Sequence, residues 1–504
     1  MTNDFSKLGR LTSFEPEFDV IIVGSGHNGL LAAAYLAKAG KKVLVLERQS
    51  YPGGGVASLP MAEPGYTSER HSAIHQMIMV QRTADAITAI SNLVEGEAYK
   101  RFAKLATKIT KLVMPGMFVP LSTTPPDLSS HPDVAAALES SAKCSSLDIV
   151  NEYFKDPIVR VAILRLVTEI QLAHPKTPGT GLMAYLGIGL MTLYGLAVPR
   201  GGGSAFTAAV SRCLEAHGGE IRLNTEVIKV VTENGRAVGV RTRAGEIRAR
   251  ECVVAQIHPH ILGKLVDGID PTITAAASKT KLSEYNLVVV HATLENPLNF
   301  KAGGVANHVV MNTICPGSVE ELLKSYDTMD KSEIPDVIMT SASAINVTDP
   351  TRASAGKFIL HAVVMVRADH ARVGFQGWDE VKDEVMQKFF RYLSDYLVDF
   401  TPDQIRAYHV VTPKDHQDDT PSFQGGDICG LSMSSDQMGP LRPTPELAQY
   451  RVLGVKGLYL AGPFMHPGGG VWGGGRPVAI RVMEDMGIDF DAAIKTDRTK
   501  ASHL

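Results

Sequence analysis

Residues 18–48 read F-D-V-I-I-V-G-S-G-H-N-G-L-L-A-A-A-Y-L-A-K-A-G-K-K-V-L-V-L-E-R, and this stretch decides the fold. Phe18 to Val23 is a short β-branched run that predicts a strand, and Leu30 to Lys38 is an alanine-rich run that predicts a helix. Between them Gly24, Gly26 and Gly29 give G-x-G-x-x-G. Gly40 stops the helix, Lys41 to Leu46 predicts a second strand, and Glu47 follows at the offset of an acid that binds ribose hydroxyls. Each glycine has a physical role. Gly24 permits the turn, Gly26 lets backbone approach a pyrophosphate, and Gly29 lets the helix pack on its strand with its positive end facing the anion. A lone glycine fingerprint is weak and can arise from ordinary turns. With strand, helix, second strand and acid in register, it predicts a dinucleotide-binding unit.

Composition sets the limits around that unit. The chain has 504 residues, 44% of them hydrophobic and 20% charged, enough for two or three domains with buried cores. A formal net charge of −3 gives no general attraction to nucleic acid or to anionic membranes. The five cysteines, Cys144, Cys213, Cys252, Cys315 and Cys429, lack the paired spacing of zinc sites or disulfide frameworks, which suits a reducing compartment. The N-terminus has no apolar signal region, so a cytoplasmic location is expected, with peripheral contact to a membrane allowed. From Thr177 to Val198 there is no charged residue, a length sufficient to cross a bilayer. Four glycines in its core favour instead a buried helix or helix pair lining an apolar cavity.

The residues after Glu47 carry a resemblance. Arg48 leads into Y-P-G-G-G-V-A-S, and the cluster Gly53 to Gly55 resembles the FAD-binding sequence of amine oxidases and phytoene desaturases. Those families usually place Arg after the two glycines; Gly55 stands there instead. The stretch from Val198 to Val227, a glycine-rich loop followed by helix and strand patterns, resembles the second FAD segment of the same proteins, in which the backbone at Val227 meets the adenine. Gly425-Gly426-Asp427-Ile428, Asp436-Gln437, Leu441-Arg442-Pro443, Tyr450-Arg451 and G-L-Y-L-A-G-P-F-M-H-P-G-G-G-V resemble the phytoene dehydrogenase-like flavoproteins, in the branch with FAD-dependent carotene ketolases and carotenoid isomerases.

That resemblance implies FAD held by Gly24, Gly26, Gly29, Glu47, Arg48, Gly54, Gly55, Val227, Gly462, Gly470 and Val471. It implies an α/β fold in which a Rossmann-type, glutathione reductase-like FAD domain (18–75, 196–280 and 425–490) is interleaved with an α+β substrate domain (76–195 and 281–424). The glycines between Gly462 and Pro477 would let backbone N–H groups and the positive end of the helix after them approach the flavin. Candidates for chemistry are His466 and Trp472 beside the flavin, and His71 and His75, which could share one helix face. No third ligand accompanies that pair, so no metal is expected. The expected activity is dehydrogenation of an apolar small molecule, hydride passing to flavin N5, with oxygen, a quinone or another electron acceptor reoxidising the flavin, since no second nucleotide fingerprint is present. A flavin-dependent isomerase and a non-catalytic flavin-binding protein are the alternatives. Composition gives no oligomeric state.

Overall fold

The computed structural model describes residues 17–71, 91–122, 127–195, 199–309, 311–470 and 473–495. The opening stretch forms β1 (Phe18–Val23), α1 (His27–Lys38) and β2 (Val43–Leu46). β1 and β2 pair in parallel, Val20 opposite Val43, and β2 is buried at all four positions. Burial on both faces is what a parallel strand requires, and the Val/Ile/Leu run supplies it at roughly 1.5–3 kcal/mol per side chain. Gly24, at φ +91°, makes the turn into α1. A short antiparallel pair follows, β3 (Ser58–Pro60) with β4 (Thr67–Glu69).

The strands β5 (Glu220–Arg222), β6 (Val227–Glu233), β7 (Arg236–Thr242), β8 (Gly245–Ala255) and β14 (Leu458–Leu460) join β1 and β2 in a seven-stranded sheet. Its order is β5-β2-β1-β8-β7-β6, with β14 also paired to β8. The members β5, β2, β1, β8 and β14 run parallel, and the β6-β7-β8 meander is antiparallel. Three distant segments of the chain thus build one Rossmann-type layer.

A second, wholly antiparallel sheet has the order β10-β11-β12-β9-β13, from Asn312–Ile314, Thr340–Ser343, Phe358–Val366, Asn286–Leu294 and Ile405–Val411 respectively. All nine residues of β9 are buried. One face, with Leu287, Val289, Val363 and Met365, packs on an apolar cluster from α2 (Leu93–Met117), α3 (Ser146–Tyr153), α4 (Pro157–Gln171) and α5 (Gly181–Tyr194). The opposite face, with Val288, Val290 and Val364, packs on Phe389, Phe390 and their neighbours in α6 (Lys382–Ser394). The uncharged stretch is therefore largely the buried helix α5. Gly189 seats it on α2, where a Cβ would come to 2.5 Å from the Ala106 carbonyl oxygen. Among the described residues, no helix is long and apolar enough to cross a membrane.

Candidate functional site: a glycine-walled cleft

A cavity of about 360 Å³ opens at the carboxyl ends of β1, β2 and β8, where doubly wound sheets bind their ligands. Gly26 is the N-cap of α1; no side chain caps the helix and its first turn holds no acid. The orphan N–H groups there form a seat for an anion. The second glycine cluster lies directly on the first. Gly53 N–H donates to the Ser25 carbonyl (3.0 Å), Gly26 and Gly53 form an isolated parallel bridge, and a Cβ on Gly54 would lie 3.1 Å from Gly26 Cα. Two stretches quoted separately from the sequence are one bare-backbone wall.

Gly24, Gly26, Glu47, Arg48, Gly54, Gly55, Val227 and Gly470 all line this cleft. Gly29 lies behind the turn, where a Cβ would sit 2.8 Å from the Gly24 carbonyl oxygen. Glu47 is buried: its Oε2 accepts from the N–H and hydroxyl of Ser25 (both 2.8 Å), and its Oε1 accepts from Gln49 N–H (2.8 Å). The Arg48 guanidinium reaches across to donate to the carbonyls of Asp418 (2.5 Å) and Asp419 (2.7 Å), fixing the opposite wall.

That wall, residues 419–423, carries no motif in the sequence. Arg70 Nε donates to Asp419 Oδ2 (2.5 Å), and Phe423 fills the space beside Gly55, where a Cβ would approach its ring to 2.7 Å at Cε2. An aromatic ring therefore packs where a side chain at position 55 would stand. His71 stands behind this wall, buried, after β4 and on a bend rather than a helix. Its Nδ1 is 2.9 Å from Nδ1 of His416, whose Nε2 donates to the Leu287 carbonyl (3.0 Å). That carbonyl fixes the proton on His416 Nε2, so His71 Nδ1 is the donor of the pair. Burial pushes both rings toward neutrality, His416 to about 4. His71 does not line the cleft; His75 lies outside the described residues.

The C-terminal glycines serve the packing of helices and loops as well as the cleft. A Cβ on Gly475 would lie 2.7 Å from Leu31 Cβ and 2.9 Å from Ala32 N, so this glycine lets α7 (Gly475–Asp485) press against α1. Gly474 faces Asn28, Gly473 faces the Phe118 ring, and Gly469 faces the Cys429 backbone. Of the glycines at 468–475, Gly470 is the one on the cleft. Gly462 does not line it; the Phe464 ring covers that position, with Cζ 2.6 Å from where a Cβ would stand. His466 Nε2 donates to the Gly116 carbonyl at the end of α2 (2.9 Å), tying the loop to that helix, and burial lowers its pKa. Val471 and Trp472 lie outside the described residues.

Fully buried Arg442 holds this region together. It donates to the carbonyls of Ser432 (2.8 Å) and Pro463 (2.7 Å), with longer bonds to Cys429 and Leu431 (both 3.3 Å). Burial lowers its pKa to about 10, opposed by nearby Asp427. The Arg-Pro pair legible in the sequence is thus a scaffold under the cleft.

These features define a Rossmann-type dinucleotide-binding protein. Residues 180–475, more than half of the chain, match the family model described as flavin containing amine oxidoreductase, and residues 22–78 match an NAD(P)-binding Rossmann-like domain. The chain belongs to the flavin containing amine oxidoreductase family. It is 23% identical to a rat protein called pyridine nucleotide-disulfide oxidoreductase domain-containing protein 2, over 94% of each chain. It is 24% identical to a limonene dehydrogenase component of Castellaniella defragrans, over 94% of this chain and 95% of that one, and 24% identical to a zeta-carotene-forming phytoene desaturase of Myxococcus xanthus, over 90% of each. In fold it is similar to an oxidoreductase from Methanosarcina mazei, with a TM-score of 0.55, 15% identity and coverage of 93% of this chain and 99% of that one.

The cofactor is FAD. The family uses a flavin, and the bare wall fits the dinucleotide form: an uncapped helix N-terminus for the pyrophosphate, a buried carboxylate beside it, and the start of β6 beyond.

Proposed function

We propose that this flavin oxidoreductase dehydrogenates an apolar small molecule. The observation that carries the reading is Ile428, which lines the cofactor cleft on one side and packs on the other against the apolar cluster of α2 to α5 and the second sheet. The cleft therefore meets the apolar cluster of the second layer at a hydrocarbon side chain. The full-length likeness to a limonene dehydrogenase component and a phytoene desaturase supports the same substrate class.

In this reading the first-turn N–H groups of α1 hold the pyrophosphate, Glu47 accepts hydrogen bonds from the adenosine ribose, and the backbone at Val227 meets the adenine. Bound there, FAD supplies a two-electron acceptor for a substrate C–H bond. The chain's own part is to hold, orient and keep water out. Burial lowers His27 and His416 to about 4 and His258 to about 3, so none of these three rings is charged at neutral pH. Oxygen or a quinone would take the electrons afterwards.

The test is anaerobic mixing of the FAD-loaded protein with panels of cyclic monoterpenes, linear polyenes and primary amines. Loss of visible flavin absorption with a hydrocarbon and none with amines supports the proposal. Reduction by amines alone would refute it.

A further inference from the structure

Gln256 follows β8 at the floor of the cleft, and no motif marks it. Its N–H donates to the Val23 carbonyl (3.0 Å), its carbonyl accepts from Ser422 Oγ (2.9 Å), and its side-chain Nε2 donates to the Gly24 carbonyl (2.6 Å). One residue joins the end of β1, the fingerprint turn and the 419–423 wall. Its amide also fills the hollow that the fingerprint glycines leave. A Cβ on Gly26 would lie 2.8 Å from Gln256 Oε1, one on Gly24 3.0 Å from Nε2, and one on Gly29 closer still.

The Gly24 carbonyl is an acceptor at the edge of a seat for an anion. Left bare, its partial negative charge would oppose the phosphates, and leaving a part-buried acceptor unpaired costs free energy. An amide removes the conflict by donating a hydrogen bond without adding charge. A leucine would remove the donor, and a carboxylate would set acceptor against acceptor with a second negative charge beside the phosphates.

We infer that Gln256 is a positioning residue of the cofactor site: its amide holds the Gly24 carbonyl and so keeps the turn and the first N–H groups of α1 in the shape that receives the FAD pyrophosphate. The inference rests on the assignment of FAD to this cleft.

The experiment measures FAD affinity of deflavinated wild type, Gln256→Leu and Gln256→Glu by flavin fluorescence, with the unfolding midpoint of each apoprotein. Gln256→Leu is expected to raise the FAD dissociation constant about tenfold, the scale of one hydrogen bond at about 1.4 kcal/mol per decade. Gln256→Glu is expected to raise it about 100-fold near pH 8. It should recover toward wild type near pH 5, because a carboxyl that has taken up a proton again donates to the Gly24 carbonyl. A merely structural role would lower the apoprotein midpoint without this pH-dependent recovery. Wild-type binding in both variants, or a pH-independent loss in Gln256→Glu, would overturn the inference while leaving FAD in place. Failure of the wild type to bind FAD would overturn both.

Discussion

Gly475 offers a sharp test of how α7 and α1 make the cofactor seat. In Gly475→Ala the new Cβ would stand 2.7 Å from Leu31 Cβ and 2.9 Å from Ala32 N, with the Asn28 carbonyl oxygen nearer still. Carbon atoms rest at about 3.5–4.0 Å, so the helices must part by about 1 Å. These nearest atoms belong to backbone or to a Cβ, which cannot swing aside as a side-chain tip can. Overpacking of this kind costs about 1–3 kcal/mol, and the displaced element is the helix whose N-terminus faces the cleft. Gly116 is the control: it lies within α2 with nothing within 4 Å of an added methyl, so Gly116→Ala should gain up to about 1 kcal/mol from helix propensity. The assay is the apoprotein unfolding midpoint together with the FAD dissociation constant. Gly475→Ala is expected to lower the midpoint and weaken FAD at least about tenfold, and Gly116→Ala to do neither. Full stability and full flavin occupancy in Gly475→Ala would refute the packing argument.

Glu47→Ala should weaken FAD binding by about 1–3 kcal/mol, measured by flavin fluorescence, with activity restored at saturating FAD; activity that stays lost would assign Glu47 another role. His466→Ala removes the bond to the Gly116 carbonyl and should cost about 1 kcal/mol of stability with little change in the rate of flavin reduction. A drop of about 100-fold in that rate at unchanged FAD affinity would instead make His466 catalytic. Buried His258 and His416 have pKa values near 3 and 4, against about 6.5 in the unfolded chain. Above about pH 6.5 both states are neutral. As pH falls below it, only the unfolded chain takes up these protons, so each histidine removes up to ~1.4 kcal/mol of stability per pH unit until its folded pKa is reached. Urea midpoints between about pH 7 and pH 4.5 should fall steeply in wild type and less steeply in His416→Gln; equal slopes would contradict the buried neutral state of His416.

What the sequence makes legible is local. The β1, α1, β2 unit follows from a β-branched run, three glycines and an alanine-rich run, and its strand bounds agree with the structure at Phe18 and Val23. The glycine clusters at 53–55 and 201–203 are equally visible. Contacts that close over hundreds of residues are not: Gln256 meets Gly24 across 232 positions, and Arg48 meets Asp418 across 370. The bareness of Gly473 to Gly475 is legible, but not its cause, because a ligand and a neighbouring helix demand the same absence of a Cβ. His71 stands out by residue type, and only the packing of Phe423 and His416 around it shows that it stands behind the wall.

The central claim, that this flavoprotein removes two hydrogens from an apolar molecule, is tested most directly by one anaerobic single-turnover measurement. FAD-loaded protein is mixed with a hydrocarbon that it converts to product, and the flavin spectrum is read alongside the product mass. Dehydrogenation requires one flavin reduced for each product molecule, and a product lighter than the substrate by the mass of two hydrogens. A product of unchanged mass formed with the flavin still oxidised would contradict it.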